Sequence, residues 1–244
     1  MEQKSILIVR GGGDLASGVI HRLYCCGYRV LVLECHKPSA IRRKVSFGEA
    51  VFDGTSAVEG VTGRLISDIA DAEKIWEAKE IPILVDETGE TAKKLKPAAL
   101  IDAILAKKNL GTNKDMASLT VALGPGFEAG KDVDFVIETQ RGHNLGRVIR
   151  KGSATPNTGI PGVIAGYGKE RVIHSPAAGI MHNLSQIGDI VEKDQILARV
   201  DDVPVYASLT GVLRGIIRDG YEVPKGMKIA DIDPRQEQKK NCDT

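Results

Sequence analysis

The feature that most constrains the fold is a short apolar run that leads into a glycine cluster and then into a helical pattern. Residues 6–9 read ILIV, residues 10–18 read RGGGDLASG, and a second apolar run occupies residues 30–33. Such runs are typical of strands buried on both faces of a parallel sheet. The strand–helix–strand order predicts an α/β fold that begins with a Rossmann-like, doubly wound domain.

The glycine-rich loop fits the G-x-G-x-x-G/A pattern of a dinucleotide-binding turn. Gly11, Gly12 and Gly13 allow a tight turn and a close approach of the backbone to phosphate. The helix that follows offers unpaired N–H groups at its N-terminus. Glu34 lies 21 residues after Gly13, close to the distance of about 20 residues at which the fingerprint places a ribose-binding acid.

Asp14 argues in the other direction. Its carboxylate lies in the first helical turn, where it already satisfies the helix N-terminus and would repel a nearby pyrophosphate. Two interpretations therefore stay open: the loop binds a nucleotide, or its glycines only allow close contact within the protein.

The alternation of strands and helices predicts a cofactor-binding domain over residues 1–112. Strand-like runs without a long helical pattern follow, and they predict a β-rich connecting segment over residues 113–170. That segment ends in a stretch, residues 151–168, rich in Gly, Pro, Ser, Thr and Asn, which is typical of a long loop.

The last third of the chain contains an internal repeat. The positions that match at a constant offset are Gly179 and Gly211, Gly188 and Gly220, Val191 and Val223, and Lys193 and Lys225. One copy cannot close a core alone, whereas two copies related by a pseudo-twofold axis can.

This repeat resembles the biotinyl/lipoyl-type barrel-sandwich hybrid, so a mainly β domain with a duplicated barrel-sandwich hybrid is predicted over residues 171–235. In the carrier proteins of that type the modified lysine lies on the hairpin between the halves, but residues 201–204 read DDVP. The swinging-arm function is therefore not expected. Residues 236–244 are polar and predict a disordered tail.

Several polar clusters lie at predicted strand ends or in loops. Arg42, Arg43 and Lys44 follow the second strand, at the sheet edge where ligands bind in α/β folds. Glu138, Arg141 and His143 follow a later strand, and such a group can bind an anion and move a proton. For both clusters, a solvated polar surface is the alternative.

Cys35 follows Glu34 at the same edge, and its thiol could handle sulfur or selenium if its pKa were lowered. The four cysteines fit no zinc spacing, so no metal site is predicted.

Composition excludes several classes of function. The net charge is +1 and aromatic residues make up 4% of the chain, which argues against nucleic-acid binding. No apolar run approaches the roughly 20 residues of a membrane span, and no signal peptide is recognisable. A cytoplasmic protein without nucleic-acid or membrane partners is expected.

Longer motifs resemble one known family over about residues 5–235. They are RGGGDLASGVIHRL (10–23), LIDAILAKKNLGT (100–112), LGPGFEAGKDVDFVIETQRGHNLGRVI (123–149), PNTGIPG (156–162) and GMKIADIDPR (226–235). Together they resemble the YqeB-type proteins of the selenium-dependent molybdenum hydroxylase system. The matching functional positions are Gly11, Gly13, Asp14, Gly18, Glu34, Arg42, Arg43, Asp102, Lys107, Asn109, Glu138, Arg141 and His143.

The resemblance implies a maturation factor that binds a nucleotide or a molybdopterin-type cofactor for selenium or sulfur insertion, or for delivery of the cofactor. Its implied partners are a xanthine dehydrogenase-like hydroxylase and the other maturation proteins, and a homo-oligomer is compatible with it. Arg42, Arg43 and Arg141 would hold phosphates, and Glu138 and His143 are the candidate catalytic pair. The alternatives are an NAD-dependent oxidoreductase and a scaffold that binds no ligand.

Overall fold

The computed structural model describes residues 5–244, so residues 1–4, where the first predicted domain begins, lie outside the described residues. The chain forms two compact units. Unit 1 comprises the described residues up to Pro38 together with Ser46–Thr158, and unit 2 comprises Ser39–Val45 together with Gly159–Thr244. The predicted domain boundaries after residues 112 and 170 stay predictions.

Unit 1 contains nine strands and the helices that connect some of them. The strands are β1 (Ile6–Arg10), β2 (Arg29–Glu34), β3 (Thr55–Val58), β4 (Val61–Ile66), β5 (Ile81–Val85), β6 (Ala99–Asp102), β7 (Thr120–Leu123), β8 (Phe135–Ile137) and β9 (Val148–Ile149). The α-helices are α1 (Asp14–Cys25), α2 (Ala50–Asp53), α3 (Ala72–Glu77) and α4 (Glu90–Leu95).

All nine strands form one sheet in the order β3-β4-β5-β2-β1-β6-β7-β8-β9. The seven central strands in this order, β4 to β8, are parallel to one another. The edge strands β3 and β9 are antiparallel to their neighbours β4 and β8. From β1 the chain passes through α1 to β2 on one side, and β6 pairs with β1 on the other side. The carboxyl ends of β1 and β6 therefore flank a topological switch point, where ligands of open α/β sheets usually bind.

The central strands are buried on both faces, as their continuous apolar sequences predict. Val9 and Val32 belong to the core cluster that packs against α1, while Ile8 and Leu31 belong to the cluster that packs against α3 and α4. Side chains alternate between the two faces of a strand, so each apolar run contributes to both cores.

Unit 2 contains eight strands in two antiparallel sheets. The strands are β10 (Val172–His174), β11 (Gly179–Asn183), β12 (Ile190–Val191), β13 (Ile196–Val200), β14 (Val203–Tyr206), β15 (Gly211–Ile216), β16 (Glu222–Val223) and β17 (Lys228–Asp233). The sheet orders are β10-β17-β15-β12 and β14-β13-β11-β16. By the offset of the repeat, β11 in the first copy is equivalent to β15 in the second, and β13 is equivalent to β17. Each sheet therefore contains strands from both copies.

The predicted fold class, a Rossmann-like doubly wound domain plus a barrel-sandwich hybrid, is wrong. The architecture is mixed α/β, with one nine-stranded mixed sheet and two four-stranded antiparallel sheets. A doubly wound domain needs helical crossovers on both sides of the switch point, but no α-helix lies in the described segments 103–119 and 124–134 that lead to β7 and β8. The C-terminal repeat closes its core as two separate sheets instead.

The structure describes residues 236–244, and the disorder predicted for them stays a prediction. A 3-10 helix covers Gln236–Asn241, and Cys242 is buried among the core side chains of unit 2. No helix among residues 5–244 is long and apolar enough to cross a membrane.

Candidate functional site

The glycine loop after β1 is held by contacts with its own unit. The Gly12 N–H donates to Glu34 Oε2 at 2.6 Å. The Gly12 carbonyl oxygen accepts from Ser17 Oγ at 3.1 Å and Ser46 Oγ at 2.7 Å. A Cβ on Gly12 would lie 2.8 Å from the backbone nitrogen of Gly48. Glycine is therefore needed at this position for a close approach within the protein.

The other loop glycines differ from Gly12 in what surrounds them. Gly11 has a φ of +94°, and a Cβ there would lie 2.9 Å from Ile104 Cα. Gly13 is the N-cap residue of α1 and has no side chain of its own to cap the helix, and a Cβ on Gly13 would meet no heavy atom within 4 Å. Gly18 lies inside α1 and does not belong to the loop. Among these glycines, Gly13 is the one with open space at the N-terminus of α1.

Glu34 contacts the loop through its carboxylate. Oε2 accepts from Gly12 N, and Oε1 accepts from Cys35 N at 2.8 Å. A ribose-binding acid offers its oxygens to the hydroxyls of a ligand. Here both oxygens already accept backbone hydrogen bonds, so Glu34 ties the glycine loop after β1 to the end of β2.

Cys35 is half-buried, and its surroundings do not activate it. Burial, reinforced by the neighbouring Glu34 carboxylate, raises the pKa of the Cys35 thiol to about 12. A nucleophilic cysteine requires a lowered pKa, because the thiolate is the reactive form. The arrangement therefore opposes a role for Cys35 in sulfur or selenium transfer.

Asp102 ends β6 and belongs to a buried polar cluster. Its Oδ2 accepts from Thr112 Oγ1 at 2.5 Å and lies 3.7 Å from Arg10 Nη1, and its Oδ1 accepts from Ile104 N at 3.2 Å. Burial raises the pKa of Asp102, and the Thr112 hydroxyl and the Arg10 charge oppose that shift. Asp102 therefore holds the loop after β6 rather than facing solvent.

Asn109 and Lys107 lie in this same loop and have different roles. Asn109 accepts from the N–H groups of Gly111 and Thr112, both at 2.8 Å, and thus shapes the turn. Lys107 has a left-handed backbone with a φ of +64°. Burial around its amine lowers the pKa of Lys107, and the Asp14 carboxylate opposes the shift. Lys107 thus contributes a positive charge close to the first residue of α1.

Turns after β6, β7 and β8 meet at the carboxyl edge of the sheet. A Cβ on Gly126 would lie 2.7 Å from Lys108 Cα, and a Cβ on Gly124 would lie 2.6 Å from Thr139 Oγ1. Both glycines have a positive φ. The fold therefore brings loops of the 100–112 and 123–149 motifs into contact, as expected for neighbouring parallel strands.

Glu138, the candidate base, is 4% exposed and is bonded on both oxygens. Oε1 accepts from Gln140 N at 2.8 Å, while Oε2 accepts from Thr155 N at 2.8 Å and from Thr155 Oγ1 at 2.7 Å. Burial alone would raise the pKa of Glu138, but these hydrogen bonds outweigh it and lower the pKa. Arg141 and His143 are exposed. Within residues 5–244, the contacts of Glu138 tie it to Thr155 and not to these two residues.

The basic triplet lies in unit 2 and contacts the end of the described chain. Arg42 Nη2 donates to Thr244 O at 3.1 Å, and Lys44 Nζ lies 3.1 Å from Asp243 Oδ1. Arg43 Nε donates to Ile216 O at 2.9 Å. Arg42 and Arg43 therefore belong to a different unit from the glycine loop, and both donate hydrogen bonds to carbonyl oxygens of unit 2.

Two features of the carboxyl edge escape sequence reasoning. Arg10, 1% exposed, donates to Thr112 Oγ1 and, at 2.6 Å, to Glu87 O. The sequence signal that could have identified Arg10 is its position as a cationic residue at the end of an apolar strand, directly before the glycines. His36 hydrogen-bonds through Nδ1 to Glu87 Oε1, and this bond lowers the pKa of Glu87. No local signal marks that pair, because the two residues follow different strands.

No group of three or more His, Cys, Asp or Glu side chains suited to a metal ion exists among the described residues. The N-terminus of α1, with Gly13 and the nearby Lys107 charge, combines open space with groups that attract an anion.

Comparison with solved structures gives only distant matches. An aspartoacylase family protein from Mesorhizobium loti is 11% identical over 95% of this chain and 85% of that chain, with a TM-score of 0.29. The product-bound ectoine utilization protein EutE (DoeB) from Ruegeria pomeroyi is 13% identical over 83% of this chain and 57% of that chain, with a TM-score of 0.27. Scores of this size support no argument about this chain.

Sequence comparison gives a much stronger match, although no family model matches the chain. The protein named Uncharacterized protein YqeB from Escherichia coli (strain K12) is 51% identical over 232 residues. This alignment covers 95% of the chain but 43% of the relative, so the chain spans less than half the length of the curated relative it matches. The chain is therefore similar, along nearly its whole length, to a part of YqeB.

Proposed function

We propose that unit 1 binds a phosphate-bearing cofactor, either a nucleotide or a molybdopterin-type cofactor, at the N-terminus of α1. The observation that carries this proposal is the position of Gly13 beside the switch point between β1 and β6. A Cβ at this position would meet no heavy atom within 4 Å, and the N-cap residue, as a glycine, has no side chain that occupies the helix end. Backbone N–H groups at such an end attract phosphate.

Charge near this helix end supports a regulated rather than a very tight phosphate site. Lys107 brings a cation that can pair with phosphate, while Asp14 brings an opposing carboxylate that interacts with Lys107. A bound phosphate would compete with Asp14 for the lysine. Such competition suits a protein that holds a cofactor and then releases it.

The chain would act as a maturation factor for selenium-dependent molybdenum hydroxylases, holding the cofactor for selenium or sulfur insertion or for delivery. This part of the proposal rests on the long motifs that resemble the YqeB-type proteins of that system. The partners would be the hydroxylase and its other maturation proteins. Arg141 is exposed, whereas Arg42 and Arg43 donate to unit 2 carbonyl oxygens and are weaker candidates.

An NAD-dependent oxidoreductase is less well supported by the same geometry. Glu34 is bonded to Gly12 and Cys35, which leaves it poorly placed to select ribose. Glu138 is bonded to Thr155 and Gln140, which leaves it poorly placed to act as a base. Binding without hydride transfer is therefore the better proposal.

Isothermal titration of the purified chain with molybdopterin cofactor, cytidine nucleotides and NAD tests the proposal. We expect a phosphate-bearing ligand to bind, and Lys107→Gln to weaken it about tenfold, the effect of one lost charge-assisted hydrogen bond. Asp14→Asn should strengthen it. Lys108→Gln is the matched control, because it removes an adjacent loop lysine and should leave affinity unchanged.

Three results would contradict the proposal in different ways. No binding of any of these ligands favours the scaffold alternative. Tight NAD binding with hydride transfer to a substrate favours the oxidoreductase. Equal affinity of wild type and Lys107→Gln removes the site from the N-terminus of α1.

A further inference from the structure

A cavity of about 450 Å³ opens at the amino edge of the unit 1 sheet, at the opposite strand ends from the glycine loop. One wall is the end of α1 and the turn into β2, including Tyr24 and Tyr28. The other wall is the end of α3, including Trp76 and Lys79. Tyr24 Oη donates to Lys79 O at 2.9 Å and joins the two walls. The volume lies in the range of small-molecule sites, about 300–1,000 Å³.

Two of the aromatic side chains of this cavity, Trp76 and Tyr24, have partners for their polar atoms within the protein. Trp76 Nε1 donates to Val30 O at 2.9 Å, and the Tyr24 hydroxyl is bonded as described. Arg29 lies over the Trp76 ring at 5.5 Å and is held there by two hydrogen bonds to Glu73, at 2.7 and 2.8 Å. The cavity therefore offers aromatic surface in a fixed arrangement, which favours contact with another ring.

The charged residues that line the cavity indicate which charges a ligand would carry. Glu80 is paired with Arg64 through both oxygens, and the arginine over the tryptophan is paired with Glu73. Glu77 and Lys79 also line the cavity, both are exposed, and neither has an ion-pair partner within residues 5–244. One anion and one cation on the same wall complement a molecule that carries both charges.

The geometry points to a binding site for a small aromatic zwitterion, the chemical class of the aromatic α-amino acids. Its ring contacts Tyr24, Tyr28 and Trp76, its ammonium group pairs with Glu77, and its carboxylate pairs with Lys79. This site lies at the opposite edge of the sheet from the proposed cofactor site and does not depend on it.

The chain supplies two built-in reporters for a test. Trp76 is the single tryptophan, so its fluorescence reports on this cavity alone. Cys25 lines the cavity, whereas the adjacent Cys26 is also exposed but does not line it. L-phenylalanine is the probe, because it does not absorb at the long-wavelength end of the tryptophan absorption band, where Trp76 can be excited selectively.

We expect L-phenylalanine to change Trp76 emission saturably and to slow alkylation of Cys25 by iodoacetamide several-fold, with no effect on Cys26. Glu77→Gln and Lys79→Gln should each weaken binding about tenfold, the effect of one lost charge-assisted contact. Lys96→Gln is the matched control: Lys96 is also a left-handed lysine after a helix, but it does not line the cavity.

Ligand analogues separate the parts of the proposal. L-alanine lacks the ring and N-acetylphenylalanine lacks the ammonium group, so both should bind at least several-fold more weakly. No saturable emission change with L-phenylalanine overturns the site. Equal binding of L-alanine overturns the aromatic requirement, and unchanged affinity in both charge variants overturns the zwitterion.

Discussion

Alanine substitutions in the glycine loop separate the glycines that the protein needs for its own structure from the one that a ligand can use. Gly12→Ala places a Cβ 2.8 Å from Gly48 N and 3.0 Å from Gly48 Cα. Both neighbours are backbone atoms, so the loop must shift and strain its hydrogen bonds to Glu34 and Ser46. Gly13→Ala meets nothing within 4 Å and keeps a permitted φ of −66°.

The expected magnitudes follow from these contacts. Forcing an extra methyl group into a close contact costs about 1–3 kcal/mol, so Gly12→Ala should lose about 2 kcal/mol of unfolding free energy. Gly13→Ala should stay within about 1 kcal/mol of wild type, because the poorer helix cap and the stiffer unfolded chain offset each other. Gly18→Ala, in the exposed interior of α1, should gain about 1 kcal/mol.

Urea unfolding followed by Trp76 emission measures these changes, because the single tryptophan lies in unit 1. Thermal melting gives a second measure, with about 2–4 °C expected per kcal/mol for a chain of this size. If Gly12→Ala is as stable as Gly13→Ala, the structural account of Gly12 fails. If Gly13→Ala keeps both stability and cofactor affinity, the phosphate does not approach at Gly13.

The remaining predictions concern two acids and two thiols. Glu138→Gln should lose about 2–3 kcal/mol, because in the buried side chain an amide NH₂ then replaces an oxygen that accepts hydrogen bonds from Thr155 or Gln140. Glu128→Gln, at an exposed site, should change the urea midpoint little. The pKa of Glu138 is lower in the folded state than in the unfolded state, where it is about 4.3. The stabilisation from ionised Glu138 is therefore complete above that unfolded pKa and is lost as the pH falls through the folded pKa. If the urea midpoints of wild type and Glu138→Gln fall in parallel on acidification, this account is wrong. Iodoacetamide at neutral pH should label exposed Cys26 but not Cys35, since a pKa of about 12 leaves almost no thiolate; equal labelling rates would show that the thiol is activated.

Local sequence patterns predict the central strands well. The runs at 6–9 and 30–33 correspond to β1 and β2, within one residue at each end. These strands are buried on both faces, so their sequences are continuously apolar and independent of the pairing partner. The helix expected from Asp14 is also present as α1.

The extent and class of the sheet could not be read from the same patterns. The hairpin β3–β4 and the strands β7 to β9 join the sheet through pairings between distant residues, which local periodicity does not specify. The internal repeat predicts equivalent strands but not equal burial. Ile180 is 36% exposed, whereas its repeat partner Val212 is fully buried. The pairing of distant strands determines the extent of the sheet, and packing against neighbouring segments determines how deeply equivalent residues are buried.

The acids at the candidate site show why residue type and position at a strand end do not identify a catalytic group. Four carboxylates follow or end parallel strands and accept hydrogen bonds from backbone N–H groups: Glu34, Asp86, Asp102 and Glu138. Loops at a carboxyl edge turn sharply and leave N–H groups without partners, and a short acid at the turn satisfies them. A ligand-binding acid is expected at the same position, so a search for acids at strand ends selects structural acids and ligand-binding acids alike. The number of backbone donors already bound to each oxygen distinguishes them. By that criterion, substitution of Glu34 or Glu138 should act on the stability of unit 1, whereas changes at Gly13 or Lys107 should act on affinity for a phosphate-bearing ligand.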